Sequence, residues 1–387
     1  MGGKYAGAFH PQDDGHNIRV AYPELNFPTL RSNYGPIFED ATSRELRPAR
    51  RRPGFDSDSV SADSLVGELK EDYPLVAIVG PTAAGKSSLA IALASRWNGE
   101  IINCDSVQLY RGFDIGTGKV SPRERRGIPH HLLDIADPEE LFTAGDYRQQ
   151  AIRVINDLRD RGRLPIIVGG TGLYLRALLL GLFEGPQRSE VLRDRLKQIA
   201  TRRTREFLHR MLKRLDAKAA ARIHSRDTPK IIRALEVCIL SQRPLTAMHE
   251  GVRVGLQGFR VLKIGLSPNR QQLAQRIHQR VERMFQAGLL DEVRGMLSRQ
   301  DADRIKPLGA IGYREARAVL GGELSVEAAI RKTATATRRY AKRQMTWFRR
   351  EVGTEWFAGF GDDPKVQEEV SAWLARRLAA RPERVKS

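Results

Sequence analysis

The chain has 387 residues, enough for two domains, and its 65 Lys and Arg against 46 Asp and Glu give a formal net charge of +19. This excess favours a polyanionic partner, most often nucleic acid, although a membrane surface or solubility alone could also explain it. The sequence has neither the ~18-residue apolar stretch of a membrane helix nor a signal peptide, and two cysteines are too few for a disulfide framework or a cysteine-rich zinc site. We therefore expect a soluble cytoplasmic protein with two buried cysteines and no membrane partner.

The first 70 residues differ in composition from the rest. Their charge is nearly balanced, Pro and Gly are scattered through them, and no apolar period is sustained. Such a segment cannot bury enough apolar surface to offset the entropy lost when its chain is ordered. We predict a disordered N-terminal extension over residues 1–70.

Short apolar runs alternate with amphipathic segments from residue 71 onward, which predicts a doubly wound parallel sheet covered by helices. The predicted strands are PLVAIVG, EIINCDS, LPIIVGG and, much later, FRVLKIGLS. Between the second and third strands, Thr143 and Asp146 have the spacing of a helix-capping box. The helix that follows would bury Tyr147, Ile152, Ile155 and Leu158 on one face. We assign residues 71–185 to the first part of an α/β core.

The first predicted strand leads into VGPTAAGKSSLA and then into a segment with helical spacing. Gly80, Gly85, Lys86 and Ser87 complete the phosphate-binding motif G-x-x-x-x-G-K-[ST]. In such a loop the backbone N–H groups and the helix N-terminus surround a phosphate, the lysine adds a charge, and the serine can ligate Mg2+. The motif predicts a P-loop NTPase-like core whose ligand is phosphorylated, and ATP is only the commonest such ligand.

Polar residues follow the next two predicted strands. Ligands of open parallel sheets bind beyond the carboxyl ends of the strands, and NCDSVQLY puts Asp105 there. Asp105 could be a Mg2+ ligand, a general base or only the cap of the next turn. The third strand ends in Gly169, Gly170 and Thr171 and lacks the acidic Walker B residue of a typical NTPase. The apparatus for ATP hydrolysis is therefore incomplete.

The alternation breaks over residues 186–250, where the pattern is helical and basic residues occupy the polar faces. The apolar positions at helical spacing are Leu192, Leu196, Ile199, Leu208, Met211, Leu212 and Leu215. We predict a helical insertion domain here, which contacts the nucleic acid. The rest of the core and the C-terminal helices would follow over residues 251–360, and a C-terminal tail over residues 361–387.

Residues 331–350, RKTATATRRYAKRQMTWFRR, contain eight basic residues and no acidic one. Lys and Arg neutralise phosphates, and the interleaved Tyr340, Trp347 and Phe348 could stack on splayed bases, as in proteins that read single-stranded RNA loops. A solvated basic helix with a partly buried aromatic face would give the same pattern. We interpret the segment as an RNA-binding one.

Eight motifs occur in a fixed order along the chain: GPTAAGKS, DSVQLYRGFDIGTGK, PHHLLDI, GDYR, GGTGLYLRALL, RALEV, GYREA and AKRQMTWFR. Together they resemble the tRNA dimethylallyltransferase (tRNA isopentenyltransferase) family over residues 74 to 357. The resemblance implies transfer of a prenyl group from dimethylallyl diphosphate to N6 of the adenosine immediately 3′ of the tRNA anticodon. It implies a monomer whose partners are dimethylallyl diphosphate and the tRNA anticodon stem-loop, with Mg2+ as cofactor.

The resemblance also implies roles for individual residues. Asp105 and Thr171 are the catalytic residues, Asp105 as the base facing the adenine amine and Thr171 near the reaction centre, and Ser87 is the Mg2+ ligand. The implied diphosphate contacts are Gly80, Pro81, Thr82, Ala83, Ala84, Gly85, Lys86 and Ser87. The implied tRNA contacts are Asp105, Ser106, Val107, Gln108, Thr171, Arg193, Pro229, Lys230, Ile231, Ile232, Arg233, Leu308, Gly309, Ala310, Ile311, Gly312, Tyr313, Lys342, Arg343, Gln344, Met345, Thr346, Trp347, Phe348 and Arg349.

The chain departs from the family pattern in one place, since Pro229 and Lys230 stand where members often have Gln-Arg, and a bidentate guanidinium contact is lost there. The sequence also lacks a eukaryotic-type zinc finger, which implies a bacterial-type enzyme. Two other classes of protein share part of this pattern. A P-loop small-molecule or nucleotide kinase would explain the phosphate-binding loop but not the basic segment near residue 340. A non-enzymatic RNA-binding protein would leave Lys86 and Asp105 without a role.

Overall fold

The structure is a computed structural model that describes residues 73–203, 205–251 and 253–380. These residues form two compact units, one over 183–203 and 205–251 and the other over 73–182 together with 253–380. The extension predicted over residues 1–70 lies outside the described residues, as does the end of the predicted tail, 381–387.

The strands and helices follow one another in an α/β pattern that a group of helices interrupts. The strands are β1 (Tyr73–Val79), β2 (Gly99–Asn103), β3 (His130–His131), β4 (Leu164–Val168), β5 (Phe259–Leu266) and β6 (Thr354–Phe357). The helices are α1 (Lys86–Arg96), α2 (Ala144–Asp160), α3 (Gly172–Leu180), α4 (Glu190–Arg202), α5 (Arg205–Leu215), α6 (Ala217–Arg222), α7 (Thr228–Ser241), α8 (Leu245–His249), α9 (Arg270–Gln286), α10 (Leu289–Leu297), α11 (Tyr313–Leu320), α12 (Val326–Phe348) and α13 (Pro364–Ala379). Short 3-10 helices cover Ala302–Arg304 and Lys306–Gly309. Helices α4 to α8 belong to the smaller unit.

The larger unit is built on a six-stranded sheet with the order β3-β2-β4-β1-β5-β6, in which every neighbouring pair is parallel. The four strands predicted from sequence are present as β1, β2, β4 and β5, and the predicted α/β fold class is confirmed. The edge strands β3 and β6 were not predicted because they have only 2 and 4 residues, too few to show a periodic pattern.

Both faces of the sheet are covered. Leu75, Ala77 and Val79 of β1 belong to an apolar cluster with residues of α2, α3 and the helices α9 to α12. Val76 and Ile78 point to the opposite face and pack with α1 and α13. A parallel strand buried on both faces needs apolar residues at every position, which explains why PLVAIVG shows no alternation.

The capping box predicted for α2 is present. The Thr143 side chain accepts a hydrogen bond from the Asp146 backbone N–H at 3.2 Å, and the Asp146 carboxylate accepts one from the Thr143 N–H at 2.8 Å. Tyr147, Ile155 and Leu158 of the predicted face are buried. The first turn of α2 is therefore fixed by two reciprocal hydrogen bonds.

The smaller unit is helical and has its own apolar core. The seven apolar positions identified from the sequence all belong to this core, with Ile199 at its partly buried edge. Cys238 lies in the same core, and both cysteines of the chain are buried and free, as predicted. Among the described residues, no helix is both long and apolar enough to cross a membrane.

A buried carboxylate joins the edge of the sheet to the end of α2. The side chain of Glu100 on β2 is only 5% exposed and accepts hydrogen bonds from Arg161 at 2.7 and 3.1 Å. His131 Nε2 of β3 lies 2.7 Å from the same carboxylate. The hydrogen bonds from Arg161 lower the pKa of Glu100 to about 2, although burial acts in the opposite direction. Glu100 therefore stabilises the fold only while it is ionised.

We expect Glu100→Gln to remove a part of the unfolding free energy that depends on pH. Because the pKa of Glu100 is lower in the folded than in the unfolded chain, its contribution of roughly 2 to 4 kcal/mol is present above about pH 5 and is lost as the pH falls toward the folded pKa. Urea unfolding at several pH values should therefore show wild type and Glu100→Gln converging in acid. Glu368→Gln, which breaks an exposed pair with Arg96, is the control and should change little. Parallel pH profiles for wild type and Glu100→Gln would contradict the assignment.

Candidate active site

The loops that follow β1, β2 and β4 start at the same edge of the sheet. Val168 of β4 pairs with Ile78 of β1 on one side and with Asn103 of β2 on the other, so the three strands end at the same position along the sheet. Gly169 lets the ends of β2 and β4 touch, because a Cβ on it would lie 2.0 Å from the Cys104 carbonyl oxygen. The structure thereby brings the phosphate-binding loop next to the two loops that hold the predicted catalytic residues.

Thr171 fixes the backbone around Asp105. The Thr171 N–H donates to the Cys104 carbonyl at 3.1 Å, and the Ser106 N–H donates to Thr171 Oγ1 at 3.0 Å. The Thr171 hydroxyl in turn donates to Ser106 Oγ at 3.3 Å. Asp105 is thus held between two residues that Thr171 contacts, which gives Thr171 a positioning role in this structure.

The Asp105 carboxylate caps the turn that follows it. Its Oδ1 accepts hydrogen bonds from the N–H groups of Val107 at 2.9 Å and Gln108 at 3.3 Å. Asp105 therefore caps the turn, which is one of the three roles that the sequence allows for it. Among the described residues, no hydrogen bond is made by Oδ2, which leaves this oxygen for a substrate. One carboxylate can in this way serve both as a cap and as a proton acceptor.

The loop between β1 and α1 has the backbone of a phosphate cradle. Gly80 has φ 141° and lies so close to β5 that a Cβ would be 2.9 Å from the Leu266 carbonyl oxygen, and Gly85 has φ 80° at the start of α1. Both positions require glycine. The Lys86 ammonium folds back over the loop and donates to the Pro81 carbonyl at 2.8 Å. The positive charge of Lys86 is thereby held at the opening of the phosphate-binding loop.

A second cation, Arg280 of α9, lies in the electrostatic range of Lys86 and Asp105. Burial, together with the charge of Arg280, lowers the pKa of Lys86 to about 8, and the charge of Asp105 opposes this shift. Burial also lowers the pKa of Arg280, again opposed by Asp105. Two partly desolvated cations therefore face one carboxylate, an arrangement suited to a bound polyanion.

The sequence-based interpretation missed Arg280 because it lies in an amphipathic helix with several other arginines. A signal was available in the GTG of the motif DIGTGK. Gly118 has φ 61°, and a Cβ on it would lie 2.1 Å from an Arg280 guanidinium nitrogen. Arg280 also donates to the Thr117 carbonyl at 2.9 Å. The glycine makes room for the guanidinium, which marks this loop as part of the site.

Gln344 of α12 joins the phosphate-binding loop to the loop after β4. Its Oε1 accepts a hydrogen bond from the Thr82 N–H at 2.8 Å, and its Nε2 donates to the Gly170 carbonyl at 3.0 Å. The residue is 4% exposed. The Thr82 N–H is thus already paired within the protein, and the Gln344 side chain faces the site from inside the fold.

The remaining predicted contacts differ in accessibility. In the smaller unit, Pro229 and Lys230 are exposed on α7, whereas Ile231 and Ile232 are buried. Arg193 and Arg233 are both held by the carboxylate of Glu236, which is 0% exposed, at 2.9 and 2.6 Å. The two arginines that the sequence separates by 40 positions therefore share one buried anchor, which was not predicted.

In the larger unit, the predicted contacts at positions 308–313 are accessible in part. Leu308 and Tyr313 are buried, and the Tyr313 hydroxyl donates to the Glu292 carboxylate at 2.6 Å. Gly309–Ile311 is the accessible part. On α12 the exposed members of the predicted set are Lys342, Arg343 and Thr346, and Arg349 just after the helix is exposed too. Phe348 is 1% exposed and packs in the core, so its ring is not available for stacking on a base in this structure.

Known proteins share this sequence over most of its length. A family model described as IPP transferase matches residues 108–351. The tRNA dimethylallyltransferase of Solibacter usitatus (strain Ellin6076) is 52% identical over 305 residues, which are 79% of this chain and 99% of that protein. The tRNA dimethylallyltransferase of Koribacter versatilis (strain Ellin345) is 50% identical over 300 residues, 77% of this chain and 97% of that protein.

Solved structures share the fold. The tRNA isopentenylpyrophosphate transferase of Bacillus halodurans is 40% identical with a TM-score of 0.58 and matches 79% of this chain and 96% of its own. A eukaryotic dimethylallyltransferase acting on tRNA is 26% identical with a TM-score of 0.66 and matches 78% of this chain and 77% of its own. The fold and the site define a P-loop-type group-transfer enzyme. The chain belongs to the IPP transferase family, that of the tRNA dimethylallyltransferases, which confirms the resemblance found in the eight motifs.

We expect the affinity for inorganic pyrophosphate to fall as the pH rises from about 7 to about 9, because Lys86 loses its proton near pH 8 and an anion binds its charged form. Calorimetric titration in two buffers of different ionisation enthalpy should show proton uptake on binding. In Lys86→Arg the side chain stays charged over this pH range, so both the loss of pyrophosphate affinity with pH and the proton uptake should be smaller than in wild type. Identical pH profiles for wild type and Lys86→Arg would remove Lys86 as the group responsible.

Gln344→Met should weaken pyrophosphate binding by roughly tenfold, because two buried groups lose their partner and the phosphate-binding loop loses its anchor. Gln344→Glu keeps an acceptor for the Thr82 N–H but places a carboxylate against the Gly170 carbonyl. Its pyrophosphate affinity should therefore recover as the pH is lowered and the acid can donate. If Gln344 instead served tRNA directly, Gln344→Met would weaken tRNA binding and leave pyrophosphate affinity unchanged.

Proposed function

We propose that this protein transfers the dimethylallyl group of dimethylallyl diphosphate to N6 of the adenosine immediately 3′ of the anticodon in tRNA, releasing diphosphate. One observation carries the proposal. The phosphate-binding loop and the Asp105 carboxylate lie at the ends of strands that finish level, while β4 ends in glycines and not in the acidic residue that hydrolysis of a nucleotide would use. The site therefore has a diphosphate cradle and a proton acceptor.

The donor diphosphate occupies the cradle over residues 80–87. Lys86, Arg280 and backbone N–H groups of the loop stabilise the negative charge that the leaving diphosphate gains. The Thr82 N–H is not among these donors, because Gln344 already accepts its hydrogen bond. Thr82 acts instead through its anchored backbone, which keeps the loop open toward the ligand.

The residues of the cradle suit Mg2+. No group of three or more His, Cys, Asp or Glu side chains that could hold a metal ion occurs among the described residues. Mg2+ commonly takes one or two protein oxygens and completes its shell with phosphate oxygens and water, so a hydroxyl at the start of α1 is sufficient. Ser87 would supply that hydroxyl, and the ion would neutralise charge on the departing diphosphate.

The acceptor side is organised around Asp105. The N6 lone pair is delocalised into the adenine ring, so the amine is a weak nucleophile and benefits when a carboxylate accepts its proton. N6 supplies the electron pair for the new C–N bond, the C–O bond breaks with its pair going to the diphosphate oxygen, and the N6 proton passes to Asp105 Oδ2. Thr171 and Ser106 hold the Asp105 backbone in place during this step.

Basic surfaces bind the anticodon stem-loop. The target base is stacked in the loop and must leave the stack before N6 can reach Asp105, at a cost of a few kcal/mol. Phosphate contacts by cations offset this cost without reading sequence. The accessible candidates in the larger unit are Lys342, Arg343, Thr346, Arg349 and the stretch Gly309–Ile311. Those in the smaller unit are Pro229, Lys230 and the half-buried Arg233, whereas Arg193 has only 14% of its side chain exposed.

Asp105→Asn is the sharpest single test of the mechanism. The amide oxygen can still accept from Val107 and Gln108, so the turn should persist, whereas the proton acceptor is lost. We expect the rate of prenyl transfer to fall roughly 10²-fold or more while tRNA and pyrophosphate affinities stay close to wild type. Asp160→Asn, an exposed carboxylate on α2, is the matched control. An unchanged transfer rate in Asp105→Asn would remove Asp105 as the base.

The reaction class itself is tested by label transfer from dimethylallyl diphosphate to unmodified tRNA, run beside an ATP consumption assay. Transfer without ATP consumption supports the proposal. ATP-dependent phosphorylation of a small molecule with no prenyl transfer would support the kinase alternative. Tight tRNA binding with neither activity would indicate an RNA-binding protein that retains a phosphate-binding loop.

A further inference from the structure

A surface pocket of about 380 Å³ lies beside the turn after β4 and is lined by Arg176, Lys342, Arg343, Thr346, Trp347 and Arg350. Four of its six lining residues are cations. Arg176 comes from α3, and the others come from α12 and the residues just after it. A concave site with this composition is suited to a single phosphate group, since a cluster of arginine and lysine donors recognises phosphate by charge and by paired hydrogen bonds.

Arg176 is held in a defined position by an aromatic ring and a carboxylate. Its guanidinium carbon lies 4.4 Å from the centre of the Trp347 ring, and its Nη2 donates to Glu351 at 2.6 Å. The Glu351 side chain is only 10% exposed. An arginine fixed from two sides loses less side-chain entropy when it binds a phosphate than a free one does. The pocket is therefore organised before any ligand arrives.

Trp347 supports Arg176 and is not an open stacking platform. The guanidinium covers its ring, and the indole packs against Gly172, where a Cβ would lie 2.2 Å from the indole nitrogen. The indole N–H is buried and has no hydrogen-bond partner among the described residues. On the face that the guanidinium covers, a base could stack only if Arg176 left its place. We therefore expect Trp347 to contribute to RNA binding indirectly, by holding Arg176 in position.

The pocket lies close to the reaction centre. Gly172 follows Thr171 directly, and Arg176 is four residues further along α3, a rise of about 6 Å. We propose that this pocket binds the backbone phosphate of the substrate RNA that adjoins the nucleotide whose base enters the active site, with Arg176 as the principal contact. The proposal rests on the proposed function and adds a site to it. Holding that phosphate fixes the backbone around the flipped nucleotide.

The direct test uses a synthetic anticodon stem-loop in which one phosphate at a time is replaced by an uncharged methylphosphonate. For the wild-type protein, replacement of the phosphate adjoining the target adenosine should weaken binding about tenfold. Arg176→Gln should weaken binding of the unmodified RNA by a similar factor and reduce the salt dependence of log K by roughly 0.7. In that variant the same methylphosphonate should weaken binding clearly less than it does in wild type, because only the remaining cations of the pocket still act on that phosphate. If no single phosphate loses most of its effect in Arg176→Gln, the assignment is wrong.

Two further variants guard against a folding defect in Arg176→Gln, which leaves Glu351 without its partner. Arg350→Gln removes an exposed cation of the pocket and should give the same phosphate-specific loss in weaker form. Arg176→Gln combined with Glu351→Gln removes the unpaired carboxylate and should behave like Arg176→Gln alone. The control is Arg153→Gln, an exposed arginine of α2 outside the pocket, for which binding should depend on every phosphate as in wild type.

A double-mutant cycle separates support by Trp347 from stacking by Trp347. If Trp347 acts through Arg176, Trp347→Leu should weaken RNA binding, but Trp347→Leu combined with Arg176→Gln should bind no more weakly than Arg176→Gln. Additive effects would mean that Trp347 contacts RNA independently and would overturn the proposed arrangement. These measurements use binding alone. A protein that showed the phosphate coupling but no prenyl transfer would refute the proposed function and not the pocket.

Discussion

The site depends on one close approach between two strand ends. Gly169 lies against the Cys104 carbonyl so tightly that no side chain fits between them. Because β2 and β4 are parallel and in register, this contact sets the loop that carries Asp105 directly beside the loop that carries Thr171. A larger residue at position 169 would separate the loops, and the phosphate-binding loop on the other side of β4 would then face an acceptor site that is out of place. The chemistry follows from backbone packing before any side-chain charge is considered.

Charge then determines what the site can hold. Lys86 and Arg280 are both partly desolvated, and burial lowers the pKa of each. The charge of Arg280 lowers the pKa of Lys86 further, while the charge of Asp105 opposes the shift at both cations. Such a cluster is unfavourable until an anion with more than one negative charge enters. A diphosphate restores the balance and favours the protonated form of Lys86. The same excess of positive charge would stabilise the diphosphate more strongly as it leaves with its additional charge, which is the condition for accelerating the transfer step.

The sequence predicted those features whose physical cause is local. The phosphate-binding loop, the capping box at Thr143 and the four central strands depend on neighbouring residues, and all were predicted. Contacts between distant parts of the chain were not. Gln344 is 262 positions from Thr82, and Arg280 is 163 positions from Thr117, so no periodic pattern could join them. The charge of residues 331–350 was evident, but the buried face of α12 contains alanine and glutamine as well as Phe348, and it therefore did not show an apolar stripe from which its inward side could be read.

Helix α12 connects the two halves of the reaction physically. Its inward residues Gln344 and Trp347 contact Gly170 and Gly172 on either side of Thr171, and both glycines are needed because a Cβ at either would collide with them. Its outward residues carry the cations that we assign to RNA. The helix runs without interruption for 23 residues, so no flexible loop separates the RNA-binding face from the face that anchors the catalytic turn. A phosphate held on the outer face is therefore held at a fixed distance from Thr171 and Asp105. Accurate placement of the acceptor base then costs little further entropy, because the helix already fixes the distance between the bound phosphate and the catalytic turn.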